Sequence, residues 1–185
     1  AITGLSQSQG LFNQSGLKHL IEKSGACDDV SQSQVPFHVC ALNSSTRKLE
    51  YPDLTEKAPA SIVQWLLASA AIPIVFDGID IDGTTYFDGG VLPGEYSDNT
   101  PYKVLIEQHN CTHIINLYLE RDPQLSQTEK QYPNVRFWNI VPTREFDGLI
   151  APLNFTPENA GKLIDEGYED VKRILEQFKE FQDTE

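Results

Sequence analysis

Hydrophobic residues in the first part of the chain are spaced first as in a helix, then as in a strand, then again as in a helix. Three apolar residues at helical intervals predict a helix over 15–23 that ends before Gly25: Leu17, Leu20 and Ile21. The almost unbroken apolar run over 35–42 is typical of a central strand covered on both faces. Pro59 begins a second helix, which ends before Pro73 and whose apolar stripe comprises Ile62, Val63, Leu66, Leu67, Ala70 and Ala71.

The second part of the chain adds a hairpin, two strands and a long helix. An Asp-Gly pair at 82–83, between alternating apolar residues, predicts a tight two-residue hairpin turn. Apolar runs over 112–119 and 135–141 predict two buried strands. A Thr-Pro pair at 156–157 supplies the N-cap and the first residue of a C-terminal helix. Strands and helices that alternate in this way favour an α/β layered domain with a largely parallel sheet.

Composition and charge exclude some kinds of protein and some kinds of binding partner. The 185 residues are 39% hydrophobic and 22% charged, as in one ordinary globular domain. The net charge of −13 repels phosphate backbones and anionic head groups, so no nucleic-acid partner is expected. Any membrane contact is expected to be peripheral, local and hydrophobic rather than electrostatic. The longest apolar run, 62–76, is interrupted and too short for a membrane span.

The cysteines and histidines give no sign of a cofactor. Cys27, Cys40 and Cys111 are odd in number and widely separated, which argues against a disulfide framework and a zinc site and favours buried reduced thiols. No spacing among the four histidines suggests a metal site. The first ten residues do not have the pattern of a retained signal peptide, and we treat the Asn-x-Ser/Thr sequons as chance; both favour a cytoplasmic location.

The candidate catalytic residue is Asp88, which ends the predicted hairpin and is followed by Gly89 and Gly90. A carboxylate presented by a rigid strand end can orient a neighbouring hydroxyl and accept its proton. The two glycines allow a positive φ and a close approach to another chain segment. Asp-Gly is also a common turn dipeptide, and the chain has four of them, so this sequence in isolation predicts only a turn.

Flanking residues change that interpretation. ASAAIP at 68–73, YFDGGV at 86–91 and NTP at 99–101 occur in order, and together they resemble the patatin-like phospholipase family. The resemblance extends over 10–178, since NFTPENAGKLIDEGYEDVKRIL is similar to the closing helix of that family. It implies a three-layer α/β/α domain with a largely parallel central sheet.

The resemblance also implies an activity and its residues. Asp88 would be the general base of a Ser-Asp dyad in a phospholipase A or esterase that acts on phospholipids or other lipid esters, with Gly89 and Gly90 as supporting motif residues. No histidine, metal or organic cofactor is required. Ser69, in the Ala-Ser-x-Ala helix end, is assigned to helix packing rather than to nucleophilic attack.

The nucleophile expected of such an enzyme is missing from the sequence. A G-x-S-x-G elbow does not occur, and GLSQS at 4–8 lacks both its final glycine and a preceding apolar strand. Because the chain also has no Met, we expect 1–185 to be a single domain that is the C-terminal portion of a patatin-like domain, inactive alone. An uncovered sheet edge and core face would then favour self-association. The alternative is a non-catalytic patatin-like scaffold that acts as a binding or interaction module.

One departure from the family pattern bears on Asp88. Eight residues, 91–98, separate Gly90 from Asn99, which is longer than usual for the family. Glu95 and Asp98 in this loop would raise the pKa of Asp88 if they lay near it, since a neighbouring negative charge disfavours a second one.

Overall fold

The computed structural model describes residues 10–90, 92, 96–119, 130–143 and 156–182, with side chains as far as 176 in the last helix. The chain divides into two compact units, Ala1–Val104 and Leu105–Glu185, and the helix Tyr102–His109 contains the division. Each unit is described by itself below.

The first unit combines three helices with an antiparallel sheet. In chain order its elements are α1 (Ser15–Ser24), α2 (Ala26–Ser31), β1 (Ala41–Asn43), β2 (Lys48–Glu50), α3 (Pro59–Ser69), β3 (Ile79–Ile81) and β4 (Thr84–Asp88). The strand order is β2-β1-β4-β3, and every neighbouring pair is antiparallel. The strand that ends in Asp88 therefore lies inside the sheet, between β1 and β3.

The second unit contains two parallel strands and a long helix. The helix α4 (Tyr102–His109) is followed by β5 (His113–Leu117), β6 (Arg136–Ile140) and α5 (Pro157–Gln182). Asn116, which is buried on β5, donates from Nδ2 to Asn139 Oδ1 on β6 at 2.9 Å. Thr156 Oγ1 accepts a hydrogen bond from Asn159 N at 3.3 Å, so the predicted N-cap of the last helix is confirmed.

Mixed helices and strands confirm the α/β prediction, and the parallel sheet is present in part. The pair β5–β6 is parallel, whereas the four-stranded sheet is antiparallel. Short connections account for the hairpin pairs β1–β2 and β3–β4, because a parallel pair needs a crossover of a dozen or more residues. The turn at Asp82 and Gly83, with φ of 53° and 80°, is the predicted tight hairpin and forces β3 and β4 to run in opposite directions.

The predicted strand over 35–42 is wrong in its extent. The strand β1 begins only at Ala41, and Val35 is 73% exposed. Before β1 the backbone forms hydrogen bonds with side chains of a loop rather than with a strand. Phe37 N donates to Asp53 Oδ1 at 3.3 Å and to Thr55 Oγ1 at 3.2 Å. Of the predicted strand, only residues 41 and 42 therefore belong to β1.

The core of the first unit lies between α3 and the sheet. Trp65 of α3 packs on Tyr86 of β4 with ring centroids 4.7 Å apart. Leu54 and Ile62 are fully buried in this core, whereas Phe87 and Leu42, which follow Tyr86 and Ala41 in their strands, are fully buried outside it. Among the helices that the structure describes, none has both the length and the apolar composition needed to cross a bilayer.

Replacing Ile62 by Ala tests this core. Ile62 has no exposed surface, so Ile62→Ala is expected to lower the free energy of unfolding by about 2–5 kcal/mol. Gln64→Ala, at an exposed position of the same helix, is the matched control and should change it by no more than about 0.5 kcal/mol. Urea denaturation of the natural protein measures both, and equal midpoints for the two variants would contradict this packing.

Candidate active site

Asp88 is held at the end of β4 by backbone contacts on two sides. It is paired with Ala41 of β1, and its N–H donates to the carbonyl oxygen of Ala71 at 3.0 Å. Ala41 and Ala71 are both fully buried. This arrangement brings together two of the motifs that are separate in the sequence, the small-residue segment after α3 and the Asp-Gly-Gly turn.

Gly89 is required because another backbone segment occupies the space of a side chain. A Cβ on Gly89 would collide with Cys40 Sγ and would lie 2.9 Å from the Cys40 carbonyl carbon. Cys40 is itself fixed, since Ser69 Oγ donates to its carbonyl oxygen at 2.8 Å. The predicted close approach is thus confirmed. The predicted positive φ is wrong for Gly89 and Gly90, because Gly25 and Gly83 are the described glycines that adopt one.

Gly90 contacts both Asp88 and Asn99. Its N–H donates to Asp88 Oδ1 at 2.7 Å, which fixes the orientation of the carboxylate. A Cβ on Gly90 would collide with the carboxamide of Asn99. Asn99 therefore reaches the Asp-Gly-Gly turn in spite of the long intervening loop, of which 91 and 93–95 lie outside the described residues.

The pKa of Asp88 is raised, and the cause differs from the expected one. Burial of this half-buried carboxyl raises its pKa, and the hydrogen bond from Gly90 N opposes the effect. The charge of Asp98 does not contribute to this shift of the Asp88 pKa; the Asp98 carboxylate accepts hydrogen bonds from Tyr51 Oη at 2.8 Å and from Thr100 N at 3.1 Å. Glu95 lies outside the described residues.

Cys40 and Tyr51 lie beside this turn, and no sequence motif marks either of them. The Cys40 Sγ atom lies 3.9 Å from the carbonyl oxygen of Gly89. Burial, together with the charges of Asp98 and Asp88, raises the pKa of the Cys40 thiol to about 12, against an opposing hydrogen bond with Tyr51. Cys40 is therefore a protonated packing residue at neutral pH and not a nucleophile. Only the three-dimensional contacts identify its role, because Cys40 and Gly89 are far apart in sequence.

Ser69 and His38 both form hydrogen bonds with backbone carbonyl oxygens. Ser69 ends α3 and donates to Cys40, which is a structural hydrogen bond. His38 Nδ1 lies 2.9 Å from the carbonyl oxygen of Tyr51, and its Nε2 lies 3.8 Å from Asp53 Oδ2. The GLSQS segment at 4–8 lies outside the described residues. Chemically, the arrangement offers a fixed carboxylate of raised pKa, which can accept a proton from a hydroxyl group.

Substitution of Gly89 tests the close approach. Gly89→Ala is expected to destabilise the fold by about 1–3 kcal/mol, because the methyl group would meet backbone atoms of Cys40, which have little freedom to move. Gly16→Ala is the matched control, since a Cβ there meets nothing within 4 Å in α1, and Ala should stabilise the helix by up to about 1 kcal/mol. Thermal unfolding of both variants measures the difference, and a Gly89→Ala variant as stable as its parent would refute the contact.

The raised pKa of Asp88 predicts how stability depends on pH. Its folded-state pKa lies above the unfolded-state value, near 3.9, so its contribution is complete below that value and is lost as the pH rises through the folded-state pKa. Asp88→Asn removes this ionisation, and the variant should become more stable than its parent as the pH rises above about 4. Urea unfolding measured between pH 4 and pH 8 tests this.

Asp53→Asn is a control of opposite sign. Burial raises the pKa of Asp53, but hydrogen bonds from Thr55 and Phe37 and the charge of His38 outweigh it and lower the pKa. The stabilising contribution of Asp53 is present above the unfolded-state pKa and is lost as the pH falls through the folded-state value. Asp53→Asn should therefore be less stable than its parent at neutral pH. Equal pH profiles for the two variants would contradict both assignments.

Comparison with known proteins gives a family match that covers this turn. The sequence profile of the family described as patatin-like phospholipase matches residues 3–106, more than half of the chain. The matched range includes Asp88, both following glycines and Asn99, whereas the resemblance over 107–178 stays a prediction. Comparison with curated proteins gives no significant match. The chain belongs to the patatin-like phospholipase family, a family of lipid hydrolases.

Proposed function

We propose that the protein is a lipid acyl hydrolase that uses a Ser-Asp dyad, with Asp88 as the general base. The observation that carries the proposal is the placement of Asp88, whose half-buried carboxylate is held by Gly90 N within the range that matches the family. Within the part of the chain that the structure describes, Asp88 Oδ2 accepts no hydrogen bond. This second oxygen is the one proposed to receive the proton.

In the proposed reaction, Asp88 takes the proton of a serine hydroxyl while the serine oxygen attacks the carbonyl carbon of a lipid ester. The ester C–O bond then breaks, the leaving alcohol receives the proton from Asp88, and an acyl-enzyme remains. Asp88 next takes a proton from water, whose oxygen attacks the acyl carbon, and the serine regains a proton as the fatty acid leaves. A pKa raised by burial strengthens Asp88 as a base for these steps.

The serine is proposed to lie outside these 185 residues, in an N-terminal part of the same domain, with 1–185 as the C-terminal portion. The finer fold proposal is a three-layer α/β/α domain in which β5 and β6 belong to a larger parallel sheet. Its support is that parallel strands are normally covered on both faces, whereas Ile115 and Leu117 of β5 are 61% and 64% exposed.

The proposed partners follow from the family and from the charge. Lipid esters are the substrates that the family implies. With a net charge of −13, peripheral membrane contact would occur through local apolar surface rather than electrostatic attraction. Self-association through uncovered apolar surface is the second proposed contact. The chemistry proposed for Asp88 uses neither a metal nor an organic cofactor.

The test is covalent labelling of the natural protein with a fluorophosphonate, combined with turnover of a lipid ester. The parent protein should be labelled on serine, and Asp88→Asn should lower kcat/KM by about 10²–10⁴-fold, because the serine loses its general base. Asp82→Asn is the matched control. Asp82 belongs to another Asp-Gly turn, at the opposite end of β4, and Asn-Gly maintains that turn, so this variant should retain parental turnover.

Two results would overturn the proposal. Unchanged turnover in Asp88→Asn would exclude Asp88 as the base, and a natural protein that neither reacts with the probe nor hydrolyses esters would be a non-catalytic patatin-like scaffold that acts by binding. A folded Asp88→Asn protein, shown by near-ultraviolet circular dichroism, ensures that lost activity is not lost structure.

A further inference from the structure

The Asp-Gly-Gly turn is also held by a return of the chain at Asp98. The N–H of Asp98 donates to the carbonyl oxygen of Gly89 at 2.7 Å. Its carboxylate accepts one hydrogen bond from Tyr51 Oη at 2.8 Å and one from Thr100 N at 3.1 Å. Because Asn99 lies between the residues that these bonds fix, they also keep its carboxamide against Gly90.

Tyr51 connects this return to a rigid part of the sheet. It directly follows β2, which pairs with β1, and its carbonyl oxygen lies 2.9 Å from His38 Nδ1. Burial and the neighbouring Asp98 carboxylate raise the pKa of Tyr51 well above its ordinary value. Its hydroxyl is therefore protonated and a donor throughout the physiological range, so the bond to Asp98 is charge-assisted.

Gly89 thus contacts two fixed groups. Cys40 packs against it from the strand side, and Asp98 binds its carbonyl oxygen from the loop side. The same peptide group, formed by the Gly89 carbonyl and the Gly90 N–H, donates to Asp88 Oδ1. A change in the Tyr51–Asp98 contact that moved Asp98 would therefore move this peptide plane, and with it the amide that holds the Asp88 carboxylate.

We propose that Tyr51 and Asp98 are positioning residues, which hold the Gly89–Gly90 turn so that its amide orients the Asp88 carboxylate for proton transfer. The inference rests on the proposed function of Asp88. Neither residue is assigned contact with substrate. Their effect is indirect: the 2.8 Å bond between them fixes Asp98, Asp98 fixes the Gly89 carbonyl, and the following amide fixes the base.

The Gly90 hydrogen bond provides a readout that a purely structural role would not affect. This bond lowers the pKa of Asp88 against the effect of burial. The described titratable groups beside the turn are Cys40 and Tyr51, both neutral at pH 7, and Asp98. If the turn relaxes and the amide moves away, burial dominates further, and the acidic limb of the pH–kcat/KM profile moves to higher pH.

The experiment compares Tyr51→Phe with Tyr86→Phe in the natural protein. Tyr86 also donates from its hydroxyl to a carboxylate, Glu50 Oε2, at 3.0 Å, but it does not contact the turn. Tyr51→Phe should lower kcat by about 10–100-fold with KM changed less than about twofold, and should move the acidic limb to higher pH. Tyr86→Phe should change neither kcat nor the acidic limb, whatever it does to thermal stability.

Asp98→Asn keeps the inference testable if Tyr51→Phe fails to fold. Its amide oxygen can still accept hydrogen bonds from Tyr51 or Thr100, and its backbone N–H still binds Gly89, so turnover should stay within about threefold of the parent. Asp98→Ala removes the bonds from both Tyr51 and Thr100, so it should lower kcat at least as much as Tyr51→Phe and move the acidic limb in the same direction. The double variant Tyr51→Phe, Asp98→Ala should be no worse than Asp98→Ala alone, since both changes break the same contact.

The outcomes separate this inference from the one on which it rests. Parental kcat and an unmoved acidic limb in folded Tyr51→Phe, with Asp88→Asn inactive, would overturn the positioning role and leave the dyad intact. Full activity of Asp88→Asn would instead overturn the dyad.

Discussion

The close approach of the Gly89 backbone to Cys40 is the contact on which the site depends. It requires a residue without a side chain at 89, and it places the end of β4 against the segment that leads into β1. The hydrogen bond from Asp88 N to Ala71 then ties the same strand end to the segment after α3. Since Ala41 and Ala71 are fully buried, neither neighbour can move away without opening the core. The orientation of Asp88 is thus a consequence of packing between backbones.

The same packing makes the ionisation of Asp88 less favourable. Among the described residues no cation pairs with Asp88, and an unpaired half-buried carboxylate is less stable when ionised, so burial raises the pKa of Asp88. Asp53 shows the opposite arrangement in the same unit, because hydrogen bonds from Thr55 and Phe37 stabilise its ionised form. The two carboxylates therefore differ in basicity because different numbers of hydrogen-bond donors face them. An unfavourable environment such as that of Asp88 is typical of sites kept for function rather than stability.

Local signals in the sequence predict the elements well, and contacts between distant residues explain what they miss. Gly25 ends α1, Pro59 begins α3, and the turn at 82–83 has the positive φ values that its residues favour. The orientation of the strands in the four-stranded sheet depends on which runs pair, which the alternation of helices and strands does not reveal. The hydrogen bond between Tyr51 and Asp98 joins residues 47 positions apart and belongs to no motif. Asp88 is a candidate from the sequence because its flanking motifs occur in order over 68–101, whereas the network around it becomes visible only in three dimensions.

A carboxylate that serves as the only base must satisfy two opposing requirements. It must be ionised at the working pH, and its pKa must be high enough to take a proton from a weakly acidic hydroxyl. Burial moves Asp88 towards the second requirement, and the Gly90 hydrogen bond moves it towards the first. A glycine at 90 leaves room for Asn99 while its amide faces Asp88, so one residue serves both the packing and the balance of the pKa. In the proposed mechanism, a displacement of the Gly90 amide would change the basicity of Asp88, and the bonds that Asp98 and the sheet make to this turn oppose such a displacement.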